Sequence, residues 1–279
     1  MIIDAHCHIL PASFPPRLAA LRQQDATIAS LFPTANPRMA TAEGLIDAMN
    51  AAGVDRAVVM GLGWRTLEVA REVNDYLIES VDRFPERLTG FCSVNPAWGT
   101  AAVTELERCL AAGLRGLGEL HADSQGFDIT RRDQLAPLLG PLRERDLPVL
   151  VHASEPVGHQ YPGKGHTTPD QLYRFIENFP ENIIICAHWG GGLPFYALMS
   201  EVPAALQNVY FDSAASPLLY RPEIFAAVSR LVGANRILFA TDYPLLPHRR
   251  VMAQLEENHL ETSEAAAILG ENAQRLLHL

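Results

Sequence analysis

Eight short β-branched or apolar runs punctuate the chain: Ile2–His6, Arg56–Met60, Leu88–Val94, Gly116–Leu120, Val149–His152, Ile183–His188, Val209–Asp212 and Ile237–Ala240. Between them lie longer segments with apolar residues at three- and four-residue spacing, namely Ala42–Ala52, Thr66–Phe84, Thr100–Ala112, Arg131–Asp146, Pro169–Phe179 and Glu223–Val232. Such spacing marks one face of a helix. Strand–helix alternation over eight units predicts a parallel (β/α)8 barrel, a TIM barrel, in preference to an open sheet. Val149-Leu150-Val151 and Ile183-Ile184-Ile185 are unbroken apolar runs, as parallel strands covered on both faces require. Such a barrel occupies about 250 residues, so the 279 residues are read as one domain spanning 1–279.

The connections carry their own signals. Thr168-Pro169-Asp170-Gln171 sets an N-cap hydroxyl, a proline at the first helical position and a glutamine at the third, which predicts a helix start. Residues Pro11–Pro37 are rich in proline and lack clean periodicity, so a long loop over the barrel mouth is expected there. Ser263–Leu277 reads as two short helices broken at Gly270.

Composition narrows the function classes. With 48% hydrophobic and 19% charged residues, the chain has ample material for a core, which excludes a disordered protein. The net charge of −10 disfavours nonspecific binding to nucleic acid or to an anionic membrane surface. No apolar run approaches the ~18 residues that a bilayer span needs. The N-terminus shows no basic segment followed by an apolar one. Cys7, Cys92, Cys109 and Cys186 are scattered, with no C-x-x-C pair, and read as free thiols in a reducing compartment. A cytoplasmic location is expected; self-association is left open.

The chemistry concentrates at the ends of the predicted strands. His6 and His8 stand two residues apart, so on a strand both imidazoles point to one face. His152 ends the fifth strand, His188 the sixth, and Asp242 follows the eighth. All five are metal-ligand types at the C-terminal ends of barrel strands, where barrel active sites lie. Glu119 ends the fourth strand, and a carboxylate buried in a barrel mouth needs a cation or hydrogen-bond donors. His121, two residues on, is read as an outer ligand, a substrate contact or a loop residue.

Ile3-Asp4-Ala5-His6-Cys7-His8, Val151-His152, Ala187-His188-Trp189-Gly190-Gly191 and Thr241-Asp242-Tyr243-Pro244 resemble the amidohydrolase superfamily. The nearest branch is the "amidohydrolase family 2" group of metal-dependent TIM barrels. Ile268–Leu276 is similar to that branch's closing segment. The resemblance implies that His6, His8 and Asp242 hold one divalent ion, with His152 and His188 as ligands to it or to a second ion. Glu119 stands where binuclear relatives often carry a carboxylated lysine, and TatD-like deoxyribonucleases use glutamate there. One or two ions are therefore both open, and in the two-ion arrangement Glu119 bridges them.

Imidazole and carboxylate ligands suit Zn²⁺ first, and also Mn²⁺, Fe²⁺ or Ni²⁺. The leading expectation is a metal-dependent hydrolase of a small carboxylic-acid amide, ester or lactone, using a metal-bound hydroxide. Asp242 is then the general acid–base, and His188 polarises the substrate carbonyl. The alternative is a nonoxidative decarboxylase or hydratase of an unsaturated or aromatic carboxylic acid; a TatD-like nuclease and a catalytically silent binding barrel rank lower. Substrate-binding candidates are His121 and, from His159-Gln160-Tyr161-Pro162-Gly163-Lys164-Gly165-His166, the residues His159, Lys164 and His166. A lysine flanked by glycines and histidines suits a small anionic substrate, although a solvated lysine on a turn fits equally. Arg249 and Arg250 read as an anion clamp or a helix-surface pair, and Trp189 as a pocket wall or a core residue.

Overall fold

Residues 1–34 and 37–279 are described by the computed structural model. Eight parallel strands carry it: β1 (Ile3–His8), β2 (Arg56–Met60), β3 (Leu88–Gly90), β4 (Leu117–Leu120), β5 (Val149–Val151), β6 (Ile184–Cys186), β7 (Val209–Asp212) and β8 (Ile237–Leu238). Ladders run in the order β1-β2-β3 and β4-β5-β6-β7-β8. Main-chain hydrogen bonds join the two sets. Arg115 N–H donates to the Gly90 carbonyl, Cys92 N–H to Gly116 and Gly118 N–H to Cys92. On the other side Ala5 N–H donates to Phe239, Asp242 N–H to the His6 carbonyl and His8 N–H to Tyr243. These bonds close the sheet into a TIM barrel. Helices pack outside it, and the core fills the space between; among the described residues, no helix is long and apolar enough to cross a membrane.

Two strands slip register where the site needs them to. The β1–β2 pairing shifts between Asp4 and Cys7, and the β4–β5 pairing shifts between Leu117 and Leu120. Each irregularity re-aims side chains, a recurrent use of bulges beside active sites. His6 and Glu119 lie inside these shifted stretches.

Three connections differ from expectation. The first strand runs two residues further than predicted, to His8, so both histidines are strand residues. Residues 11–37 do not form a plain loop: helices Phe14–Gln24 and Ala26–Leu31 occupy most of it, and residues 35 and 36 lie outside the described residues. Buried Asp25 caps the second helix at Thr27 N–H and also accepts from Arg65 N–H, Thr66 N–H and the Thr66 hydroxyl. Local periodicity missed these helices because tertiary hydrogen bonds anchor them. The third difference concerns Gly270, which does not break the C-terminal helix. The chain passes through a π-helical turn, Ala267–Glu271, straight into Asn272–Leu277. A Cβ at Gly270 would lie 2.2 Å from the Met1 carbonyl oxygen, so the glycine serves a close backbone approach. Thr168 does stand at the N-cap of helix Pro169–Asn178, but its hydroxyl donates to the His166 carbonyl and to Asp170 rather than capping. The four cysteines are buried free thiols.

Candidate active site

His6, His8, Glu119, His152, His188 and Asp242 converge at the C-terminal mouth of the barrel. His6 Nε2 and His8 Nε2 are 3.1 Å apart. Glu119 Oε2 lies 3.7 Å from each, and Asp242 Oδ1 is 3.2 Å from His8 Nε2. Glu119 Oε1 faces His188 Nε2 at 3.5 Å and His152 Nδ1 at 2.8 Å. His188 departs from strand geometry to get there: it and Trp189 are left-handed, followed by three glycines with positive φ. Gly191 is needed because a Cβ there would sit 2.4 Å from the Ser154 carbonyl oxygen.

The outward nitrogens of three rings are already engaged. His6 Nδ1 meets Asp212 Oδ2 at 2.8 Å, His188 Nδ1 meets the Ala214 carbonyl at 3.1 Å, and His8 Nδ1 lies 3.4 Å from the Met60 carbonyl. A carbonyl or carboxylate partner makes Nδ1 the N–H donor, which leaves Nε2 as the lone-pair nitrogen. The donors fall into two groups that share Glu119, His6 with His8 on one side and His152 with His188 on the other, and lone pairs and carboxylates so placed repel one another unless a cation or protons stand among them. Ligands about 2.0–2.2 Å from one ion lie roughly 3.0–3.6 Å from one another. The separations observed, 3.1–3.7 Å, lie within or 0.1 Å beyond that spacing. The residues therefore fit a divalent ion.

Electrostatics agree. Burial pushes the Glu119 carboxyl up, but hydrogen bonds and charge from His152, with His188 and His6, hold it well below its ordinary value. Burial pulls His188 down, yet its hydrogen bond to Glu119 and the charges of Asp242, Glu119 and Asp212 push it up to about 9. His6 is likewise raised, against burial, chiefly by Asp212. Asp242 is lowered despite burial by its hydrogen bond to His8 and by His8, His6 and His188.

A cavity of about 550 Å³ opens above the cluster. His8, Glu119, His152, His188 and Asp242 form its floor, and Phe32, Met39, Leu62, Leu218 and Leu219 are among its apolar walls. His121 and His159 line it. His121 stacks on His152 with centroids 4.0 Å apart, and burial together with the charge of His152 pushes it down to about 4. Lys164 and His166 do not reach it. Lys164 Nζ donates to the carbonyls of Val157 at 2.8 Å and His159 at 3.0 Å, bracing its own loop. His166 is exposed and pairs with Asp123 at 2.7 Å. Glycine flanks let that loop fold back onto its own lysine, so the expected anion contact is not formed there. Arg249 binds the Ala51 carbonyl on the outer helices. Trp189 is a core residue, donating to Ser216 Oγ at 2.8 Å and packing edge-on against Phe225.

Three residues that sequence reasoning passed over belong to the site. Asp212 ends the seventh predicted strand, the same strand-end position that singled out His152, and that signal was available. Ser154 bonds His152 Nε2 at 3.1 Å. Arg38 lines the cavity, donating to the Leu245 carbonyl at 2.8 Å.

Fold and site together define a metal-dependent barrel enzyme. The amidohydrolase family profile matches residues 3–279, and the chain belongs to that family. It is 25% identical over 282 residues to the gamma-resorcylate decarboxylase of Polaromonas sp., covering 85% of this chain and 83% of that protein. It is 25% identical to the 2-amino-3-carboxymuconate-6-semialdehyde decarboxylase of Dictyostelium discoideum over 247 residues, 76% of this chain and 67% of that one. The crystal structure of 5-carboxyvanillate decarboxylase from Novosphingobium aromaticivorans, complexed with manganese and 4-hydroxy-3-methoxy-5-nitrobenzoic acid, superimposes with a TM-score of 0.80 at 18% identity. That match covers 100% of this chain and 96% of the other.

These relatives overturn the leading expectation. Decarboxylases, not amide, ester or lactone hydrolases, are what the chain resembles, and the hydroxide-generating role expected of Asp242 falls with hydrolysis. The preference for zinc finds no support either, because the neighbouring structure holds manganese. Metal-ligand types and barrel position do not distinguish C–N or C–O hydrolysis from C–C cleavage; the same donors serve each.

Proposed function

We propose that this protein is a nonoxidative decarboxylase of a small anionic aromatic carboxylic acid, dependent on one divalent ion such as Mn²⁺. The observation that carries the reading is the apolar wall of the cavity above the carboxylate–imidazole cluster. Hydrolysis needs a site that holds water, whereas a carboxylate stripped of water and set against apolar walls loses the hydration that opposes release of CO2. The names of the relatives point the same way.

His6, His8, His188, Glu119 and Asp242 would hold the ion. His152, whose two nitrogens face Glu119 and Ser154, stands with Glu119 and His188 in a second donor group that shares Glu119 with the first. When bound, the ion supplies positive charge that draws substrate oxygens to the floor and stabilises negative charge developing there. The apolar walls hold the ring, and Arg38 offers the cationic contact that Lys164 does not. Loss of CO2 requires a proton on the ring carbon: a C–H bond forms, the C–C bond breaks, and its electron pair restores the ring. Asp242 is assigned as the donor. Its side chain is 16% exposed, against 5% for Glu119, so it can take up a proton from solvent each cycle.

The test is incubation of the manganese-loaded protein with a panel of hydroxybenzoates and methoxylated hydroxybenzoates, following CO2 release and the decarboxylated arene. Lactones, esters and N-acyl compounds serve as controls. Turnover of the controls without CO2 release from any acid would sink the proposal.

A further inference from the structure

The cavity holds more room than a single-ring acid fills. A benzene ring carrying a carboxylate and a hydroxyl takes the place of about five waters, roughly 150 Å³. The cavity measures about 550 Å³. Above its floor the lining is chiefly apolar, with Leu31, Phe32, Met39, Leu62, Leu218 and Leu219 contributing most of the wall that concerns us. The polar wall groups are largely occupied: the Tyr161 hydroxyl donates to Glu155 Oε2 at 3.0 Å, and His121 Nε2 is bonded to the Gly163 carbonyl at 2.9 Å. Arg38 stands exposed at the rim.

These apolar side chains are held apart, because each sits on a separately anchored piece of chain. Leu31 ends the helix Ala26–Leu31. Asp25 fastens that helix to Arg65 and Thr66, and the Thr27 hydroxyl donates to the Gly63 carbonyl at 2.7 Å, next to Leu62. Leu218 and Leu219 end the short helix Ser216–Leu219. Ser216 Oγ accepts from the Trp189 indole at 2.8 Å, and the Tyr220 carbonyl accepts from Gln254 at 2.9 Å. Leu218 and Leu245, also part of the lining, remain 43% and 42% exposed. An apolar wall kept open to water gains free energy when an apolar guest covers it, and a preformed wall spares the guest the cost of ordering it.

We infer that the aromatic acid this site takes carries an apolar substituent, an alkyl chain of several carbons, which lies along this wall while the acid group meets the floor. The acid head rests on the decarboxylase reading; the chain is argued from the cavity alone. Each buried methylene is worth about fourfold in affinity. The chain keeps its contacts throughout the reaction, so the gain falls on KM and leaves kcat little changed.

The experiment takes the manganese-loaded protein and two series of 2-hydroxybenzoates, bearing methyl, propyl or pentyl at ring position 4 or 5. Binding is read by calorimetry and CO2 release in parallel. In one series the dissociation constant should fall at least tenfold from methyl to pentyl, with an increasingly negative heat capacity of binding, and a chain of pentyl length ending in an ammonium group should not share the gain. Phe32→Ala and Leu219→Ser should each flatten the dependence on chain length. Affinity that is level or falls with chain length in both series overturns the inference, as does an equal gain from the ammonium-ended chain or an undiminished slope in both variants. Binding is measured without turnover, so the two readings fail separately. A chain-length gain without CO2 release removes the decarboxylase reading and leaves the apolar subsite. CO2 release from the methyl acids with no gain from longer chains does the reverse.

Discussion

Replacing Asp212 by asparagine isolates what orients the proposed metal ligands. The carboxylate accepts from three donors: His6 Nδ1–H at 2.8 Å, His188 N–H at 2.9 Å and Ala214 N–H at 3.0 Å. Asparagine matches its volume, and its carbonyl oxygen keeps the two backbone bonds. Its amide then faces His6 Nδ1 with a donor. To satisfy it, His6 must move its proton to Nε2, the nitrogen that points at His8 and Glu119, and so ceases to be a ligand. A hydrogen bond to a charged group is worth about 1.5–3 kcal/mol, which is roughly a 10–150-fold change in an equilibrium constant. Mn²⁺ affinity of Asp212→Asn should therefore drop by that factor, with circular dichroism and the melting transition of the metal-free protein little changed. The assay is titration of chelator-stripped protein with Mn²⁺, reading free ion by electron paramagnetic resonance. An affinity within about twofold of wild type would refute the tautomer argument.

Other perturbations test the remaining assignments. Arg38→Met should raise KM for anionic substrates about tenfold or more with kcat little changed, while Lys164→Met leaves KM within about threefold, because only the first side chain reaches the cavity; the reverse ranking in steady-state kinetics would exchange their roles. Glu119→Gln should lower kcat by roughly 10²-fold or more and weaken binding of a single ion, as metal analysis can read; a fall from two ions to one would restore the bridging arrangement. In metal-free protein, His188 has a folded pKa of about 9, above its ordinary ~6.5. A raised pKa adds stability that is complete below about pH 6.5 and is lost as pH rises through about 9. Calorimetry after chelation should therefore show the melting temperature falling across that window, and Mn²⁺ affinity rising across it as protons are displaced. A melting temperature that holds or climbs there contradicts the sign.

Periodicity alone determined the barrel, because strand and helix repeats of 2.0 and 3.6 residues are written in local order and eight alternating units have few ways to pack. It also gathered the candidate site, since His6, His8, Glu119, His152, His188 and Asp242 all stand at or just beyond strand ends, and a closed barrel brings those ends together. Tertiary structure decided what each residue does. Lys164, Arg38 and Asp212 show why: a loop lysine can fold onto its own carbonyls, a strap arginine can reach over the mouth, and a strand-end aspartate can turn from the cavity toward a histidine two strands away around the barrel. Such outcomes depend on which polar partners lie within about 3 Å, and partners more than 200 residues apart in the chain, as Asp212 is from His6, leave no local trace. The helices within residues 11–37 were hidden for the same reason, since Asp25 is satisfied by Arg65 and Thr66 across the fold. Which reaction such a site performs was likewise beyond a reading of ligand types, because the same donors serve several chemistries and the cavity walls around them are gathered from distant parts of the chain.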